Sequence, residues 1–197
     1  MNKKLFLFLT AVSLTLFPIL CHSSGQKSQL TIILVRHAEK EIVDSSDPPL
    51  TEKGKARAAE LSSILKHIPL TAIFSTPYTR TRETVLPVST EKGITIEYYN
   101  TGSEIILLEK IFDRYKSRRT CVLIAGHSNT IHLFLNTLVG DNIYSPIDDE
   151  VYDNIYIATA SAPGTATILH MRFGEHTVEK QIPSGCILQS SMVLLKP

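Results

Sequence analysis

Thr31-Ile32-Ile33-Leu34-Val35-Arg36-His37-Ala38-Glu39-Lys40 is the stretch from which the rest of the chain can be read. Its first five residues are apolar or β-branched with no polar alternation, the pattern of a strand buried on both faces. The run stops at Arg36 and His37, which puts a guanidinium and an imidazole at the carboxyl end of that strand. Open α/β sheets bind ligands at that edge. An Arg-His pair at a strand end is also an ordinary surface feature, so the remaining sequence must decide between the two.

Moving outward, a polar loop from Glu39 to Pro49 is followed by Leu50 and Thr51, a good helix N-cap. The spacing predicts a helix from there to about Lys66, with Ala56, Ala59, Leu61, Ile64 and Leu65 on its apolar face and Gly54 weakening it slightly. Thr71 to Phe74 reads as a second strand. Pro77 suits the first turn of a second helix carrying Arg80, Thr81, Arg82 and Glu83, which should end at or before Pro87. Ile94 to Tyr98 reads as a third strand and Glu104 to Tyr115 as a third helix. Its residues Ile105, Leu108, Ile111 and Phe112 recur at helical spacing.

Thr120 to Ala125 is apolar enough for a central fourth strand, and it ends at Gly126-His127-Ser128-Asn129. A fourth helix, about Thr130 to Leu138, is closed by Gly140. Residues 141–153 are acidic and turn-rich. Asn154 to Thr159 and Ala166 to Phe173 form two more strands around a Pro163-Gly164 turn. Gly185 to Gln189 and Met192 to Leu195 are strand-like. The alternation of strand and helix predicts an α/β three-layer sandwich, a mostly parallel central sheet flanked by helices.

Length and composition agree with one domain. The chain has 197 residues, 43% of them hydrophobic and 20% charged, enough apolar surface for a core. A formal net charge of +1 gives no bulk electrostatic reason to bind nucleic acid. Lys3 and Lys4 precede an apolar run from Leu5 to Leu20, and small residues follow at Ser23, Ser24 and Gly25. That order is a secretory signal peptide. We therefore expect residues 1–23 to be a signal and 24–197 a single domain, periplasmic or secreted. Cleavage after Gly25 fits equally well, an uncleaved anchor is the alternative, and a lipid on Cys21 ranks lower because Pro18-Ile19-Leu20 are not small. Contact with a membrane is expected only through that segment. Cys121 and Cys186 are left; they either pair, as exported cysteines can, or Cys121 is a small buried core residue.

Three features sit at predicted strand ends. Strand one delivers Arg36 and His37, strand two leads within a turn to Arg80, and strand four delivers His127. In a parallel sheet these ends share one rim. Two arginines offer planar, permanently charged donors that match phosphate oxygens, and histidine serves as nucleophile or donor near neutral pH. There is no His-Glu-x-x-His, Cys-x-x-Cys, Walker-type or Gly-x-Gly-x-x-Gly element, so neither a metal nor a cofactor is called for.

With these residues the chain resembles the histidine phosphatase superfamily, the phosphoglycerate mutase-like clan. Arg36-His37-Ala38-Glu39 stands where the family has Arg-His-Gly. Leu50-Thr51 with Gly54, then Ser75, Arg80 and Thr84, then Gly126-His127-Ser128 follow in the family's order. The resemblance implies that His37 attacks phosphorus, and that Arg36, Arg80 and His127, with Ser128, bind the phosphoryl oxygens. Water then hydrolyses the phosphohistidine, with no metal. It implies a phosphoric monoester hydrolase acting on a small phosphorylated substrate or an envelope phosphate group. A mutase, a protein phosphohistidine phosphatase, or a non-catalytic phosphate-binding module are the alternatives. The sequence departs from the pattern at Ala38 and in its proton donor. Ser128 and Asn129 occupy the place where some relatives carry an acid. Glu104, beyond strand three, is the candidate donor, with Glu39 second. The run Asp148-Asp149-Glu150 reads as a solvated loop, and less readily as a substrate-selecting flap.

Overall fold

Successive side chains of β1 (Leu30–Arg36) enter two different cores. Ile32 and Leu34 pack with Leu107, Leu108 and Ile111 of α3 (Glu104–Tyr115) and with Ile131, Phe134 and Leu138 of α4 (Ile131–Val139). Ile33 and Val35 pack on the opposite face with Leu61 of α1 (Glu52–Ile64) and Val85 and Val88 of α2 (Thr79–Lys92). The period of two along a strand thus builds the expected three layers. The structure is a computed structural model. It describes residues 29–115 and 119–177 and the two-residue strand at 193–194. The expected signal segment, Cys21, Cys186 and the strand-like stretch 185–189 lie outside the described residues.

The remaining strands are β2 (Ala72–Ser75), β3 (Ile96–Tyr98), β4 (Thr120–Gly126), β5 (Asn154–Ala160), β6 (Thr167–Arg172) and β7 (Val193–Leu194). They form one mixed sheet in the order β3-β2-β4-β1-β5-β6-β7. β3, β2, β4 and β1 are mutually parallel, and β5 turns antiparallel to both β1 and β6. Two strand registers position the rim residues. Arg36 lies opposite Gly126, so His37 and His127 emerge side by side one residue later. Val35 lies opposite Ile155 of the antiparallel β5, so the residues just before β5 arrive at the carboxyl end of β1.

Three local expectations need correction. α2 does not stop at Pro87 but runs through it to Lys92, where Gly93, at φ 64°, closes it by donating its N–H to the Ser89 and Thr90 carbonyls. An interior proline costs about 3 kcal/mol. Burying Val85 and Val88, both fully buried, returns roughly 1.5–3 kcal/mol each and outweighs it. The buried face of α1 is Gly54, Arg57, Ala58, Leu61 and Ser62, whereas Ala56 and Ala59 are exposed. Small alanines bury little area, so Leu61 and the inward pull on Arg57 set the rotation. In α3, Ile105 is exposed and the buried residues are Glu104, Leu107, Leu108 and Ile111.

Candidate active site

The rim of the parallel strands gathers Arg36, His37, Arg80, His127, Ser128 and Asn129 into one pocket of about 460 Å³. Sequence spacing brought these residues to predicted strand ends, and the β1–β4 register brings them together. His37 is held first by its own backbone, whose N–H donates to the Gly126 carbonyl at 2.9 Å. Its ring is held by the next residue. Nδ1 lies 2.8 Å from the Ala38 carbonyl oxygen, which can only accept, so Nδ1 carries the proton and Nε2 keeps the lone pair. Burial, and then the charges of Arg36, His127 and Arg80, press the His37 pKa down to about 3. The ring is therefore a neutral base with a fixed tautomer. Ala38 is fully buried, its N–H is bound by Thr84 Oγ1 at 2.9 Å, and among the described residues no residue other than glycine has a positive φ. Alanine fits here without backbone strain.

Arg36 is almost completely buried. Its Nη1 faces the carbonyl oxygens of Asp148, Asp149 and Val151, each at 2.9 Å, and its guanidinium lies 4.1 Å above the ring centre of Tyr152. Arg80 packs over the Tyr78 ring at 4.5 Å and stands 3.8 Å from the Asp47 carboxylate. The Nε of both arginines is buried without a hydrogen-bond partner. An unpaired buried N–H of a charged group is costly. Two of them on side chains that line one pocket suit an anion arriving there.

His127 reaches the same pocket from β4. Its Nε2 lies 3.0 Å from Thr76 Oγ1, its ring meets Tyr78 edge-on at 5.3 Å, and its centroid is 5.4 Å from that of His37. Burial, then Arg80 and Arg36, lower its pKa to about 4. Two neutral imidazoles between two guanidiniums can offer one nucleophilic nitrogen and several donors to a tetrahedral anion.

The carboxylates are distributed differently from what the sequence suggested. Glu104 is 2% exposed and accepts the Gly102 N–H at 3.1 Å; it does not line the pocket. Glu39 is clamped by Arg57, whose Nε and Nη2 donate at 2.9 and 2.8 Å. Burial alone would raise the Glu39 carboxyl, but the Arg57 hydrogen bonds and charge hold it below the usual range. Asp149 and Glu150 of the acidic run do line the pocket, together with Lys40, Ile42 and Tyr152. Asp149 Oδ1 accepts the Ser128 hydroxyl at 2.8 Å and lies 3.4 Å from Arg36 Nη2. Asp149 and Glu150 thus border the site, while all three residues of the run stay solvent-exposed, as the solvated-loop reading has it. Tyr152 and Thr76 carried no sequence signal, because only the β5 register and the buried side of the β2–α2 turn reveal them. Among the described residues no group of three His, Cys, Asp or Glu could hold a metal ion.

This is the phosphoglycerate mutase-like arrangement of strands and helices. Residues 32–106 match the family model of the histidine phosphatase superfamily (branch 1). No curated protein sequence matches the chain. Among solved structures it is similar to the protein histidine phosphatase SixA complexed with tungstate, with a TM-score of 0.62 and 17% identity over 72% of this chain and 96% of that one. It is also similar to the phosphoglycerate mutase of Bacillus anthracis str. Sterne, with a TM-score of 0.60 and 15% identity over 74% and 93%. For YhfR of Bacillus stearothermophilus the TM-score is 0.58 and the identity 18%, over 71% and 95%. At these identities the likeness is one of fold.

Proposed function

We propose that this protein is an exported phosphatase that hydrolyses phosphate monoesters through a phosphohistidine on His37, without a metal ion. The observation that carries the reading is the fixed tautomer of His37, whose Nδ1 is tied to the Ala38 carbonyl while Arg36, Arg80 and His127 share its pocket. In the first step Nε2 attacks phosphorus, the bond from phosphorus to the ester oxygen breaks, and the alcohol leaves with a proton. In the second, water attacks phosphorus, the P–N bond breaks, and inorganic phosphate and neutral His37 are regained. The orphaned Nε–H donors of Arg36 and Arg80 supply the positive charge that phosphoryl transfer needs, as charge stabilisation and positioning dominate such reactions.

One observation favours a second reading, a phosphohistidine phosphatase like the SixA proteins the fold resembles. Glu104 lies off the pocket, and a protonated imidazole leaving group needs no acid. The test is rapid-quench labelling of the purified full chain with a radiolabelled aryl phosphate. An acid-labile label on wild type, absent in His37→Ala and unaffected by a chelator, is the expected result. An acid-stable label, or activity lost on chelation and restored by a divalent ion, overturns the reading. Faster turnover of phosphohistidine than of any monoester would select the second one.

A further inference from the structure

Arg80 is held far more lightly than its pocket neighbour Arg36. Three main-chain carbonyls receive Arg36 Nη1. The Arg80 side chain donates no hydrogen bond to any described residue, and its Nε is buried without a partner. Its guanidinium rests on the Tyr78 ring and meets one carboxylate among the described residues, that of Asp47, at 3.8 Å. A ring face fixes the plane of a stacked guanidinium but not its rotation within that plane. A charge at one end of the group sets the rotation.

Asp47 is itself pinned, although it lies in an exposed loop. Pro48 and Pro49 follow it, and their rings fix φ. A residue before proline is confined to extended backbone. Pro48 and Leu50 are buried. The base of the loop is closed by the Glu41 N–H on the Pro49 carbonyl at 2.9 Å and by the Leu50 N–H on Glu83 Oε2 at 2.8 Å. The carboxylate then reaches the start of α2. Tyr78 at the N-cap gives no side-chain cap, and Asp47 supplies one from outside the helix. Its Oδ1 accepts the Thr79 N–H and its Oδ2 the Thr79 hydroxyl, both at 2.7 Å. An ionised carboxylate only accepts, so both bonds have one direction. Tied through both oxygens to Thr79, the charge keeps its place relative to Arg80, the next residue of that helix.

We propose that Asp47 is a positioning residue that holds the Arg80 guanidinium in place for a phosphoryl group, through its charge and not through the helix cap alone. The kinetic consequence rests on the phosphatase reading; the hold on Arg80 does not. Asp47→Asn separates the two roles. Its amide oxygen still accepts the Thr79 N–H, while the charge beside Arg80 is gone.

Nitrogen relaxation of the Arg80 Nε–H in the full chain, assigned with Arg80→Lys, reads the hold directly. Wild type should be as ordered as the backbone around it, and Asp47→Asn should fall below an order parameter of about 0.6. With p-nitrophenyl phosphate, Asp47→Asn should lose roughly 10-fold in kcat/KM at an unchanged melting temperature. Equal Arg80 order in wild type and Asp47→Asn overturns the proposal. So does a loss of rate confined to Asp47→Ala, the mark of a cap and nothing more. A wild-type Arg80 Nε–H already as mobile as a free side chain overturns it without any variant. If wild type turns over no phosphate compound, the phosphatase reading fails while the spectra still decide the hold.

Discussion

A Cβ on Gly54 would lie 2.2 Å from the carbonyl oxygen of Glu39. That oxygen also accepts the backbone N–H of Thr51 at 2.9 Å and its hydroxyl at 3.3 Å, while Thr51 Oγ1 caps α1 by accepting the Gly54 N–H at 3.0 Å. The start of α1 is thereby pressed against the chain two residues beyond His37. Helix propensity alone gives Gly54→Ala a gain of up to about 1 kcal/mol. The contact reverses the sign: the variant should lose about 1–3 kcal/mol, as overpacked sites do, and lose turnover with it. Thermal melts and kcat on the same preparation check both.

The two site histidines make stability depend on pH. His37 and His127 hold native pKa values of about 3 and about 4, against about 6.5 when unfolded. Between about pH 4 and 6.5 the unfolded chain binds protons that the native chain refuses, so stability falls as pH falls through that window. Near pH 5 the slope should approach about 2 kcal/mol per pH unit. Denaturant titrations from pH 7 to 5 measure it, and His127→Gln should remove about half. Both rings stay neutral over the same range, so the kcat/KM of the native protein should show no histidine-dependent acid limb above about pH 4.

Leaving-group dependence should separate the carboxylates. Glu104→Gln should change the hydrolysis of an alkyl phosphate and of p-nitrophenyl phosphate by the same factor, because Glu104 is buried on the Gly102 amide. Asp149 is engaged by Ser128 and Arg36, which leaves Glu150 as the pocket carboxylate able to meet a leaving oxygen. Glu150→Gln should slow the alkyl ester by roughly 10²–10⁴-fold and spare the aryl ester. Equal losses on both would remove Glu150 from the chemistry.

Export is open to a direct measurement. Lys3, Lys4 and the Leu5–Leu20 run give an expected mature N-terminus between residues 24 and 26. Intact-mass spectrometry of protein recovered from an expressing cell should find it there. An intact Met1, or a lipid on Cys21, would overturn a cleaved secretory signal.

Most of the fold was legible because the strands carry it. The apolar runs at 31–35 and 120–125 allow nothing but buried strands, and abrupt Arg36-His37 and Gly126-His127 endings mark the rim. Helix faces were less legible. Ala56 and Ala59 are apolar by type but bury little, and Arg57 looks like surface until Glu39 and the Phe173 carbonyl receive it. The rim residues Arg36, His37, Arg80 and His127 were readable from strand ends. The loop over them was not, because its position follows from β5 running antiparallel to β1, and strand direction leaves no mark in a sequence of alternating elements. Glu104 misled for a related reason: a glutamate in a first helical turn satisfies a local amide as readily as a distant substrate.

The site is assembled from two halves of one sheet that meet at β1. The parallel half delivers His37, Arg80 and His127, while residues 148–152 enter from the antiparallel half and grip Arg36 through their main-chain carbonyls. A grip made by backbone oxygens is indifferent to side-chain identity. The exposed side chain of residue 148 can therefore change over evolutionary time without loosening Arg36, whereas Asp149 adds its own carboxylate to the grip. Anchoring of the guanidinium and the side chains offered to the pocket become separately heritable traits within one sheet.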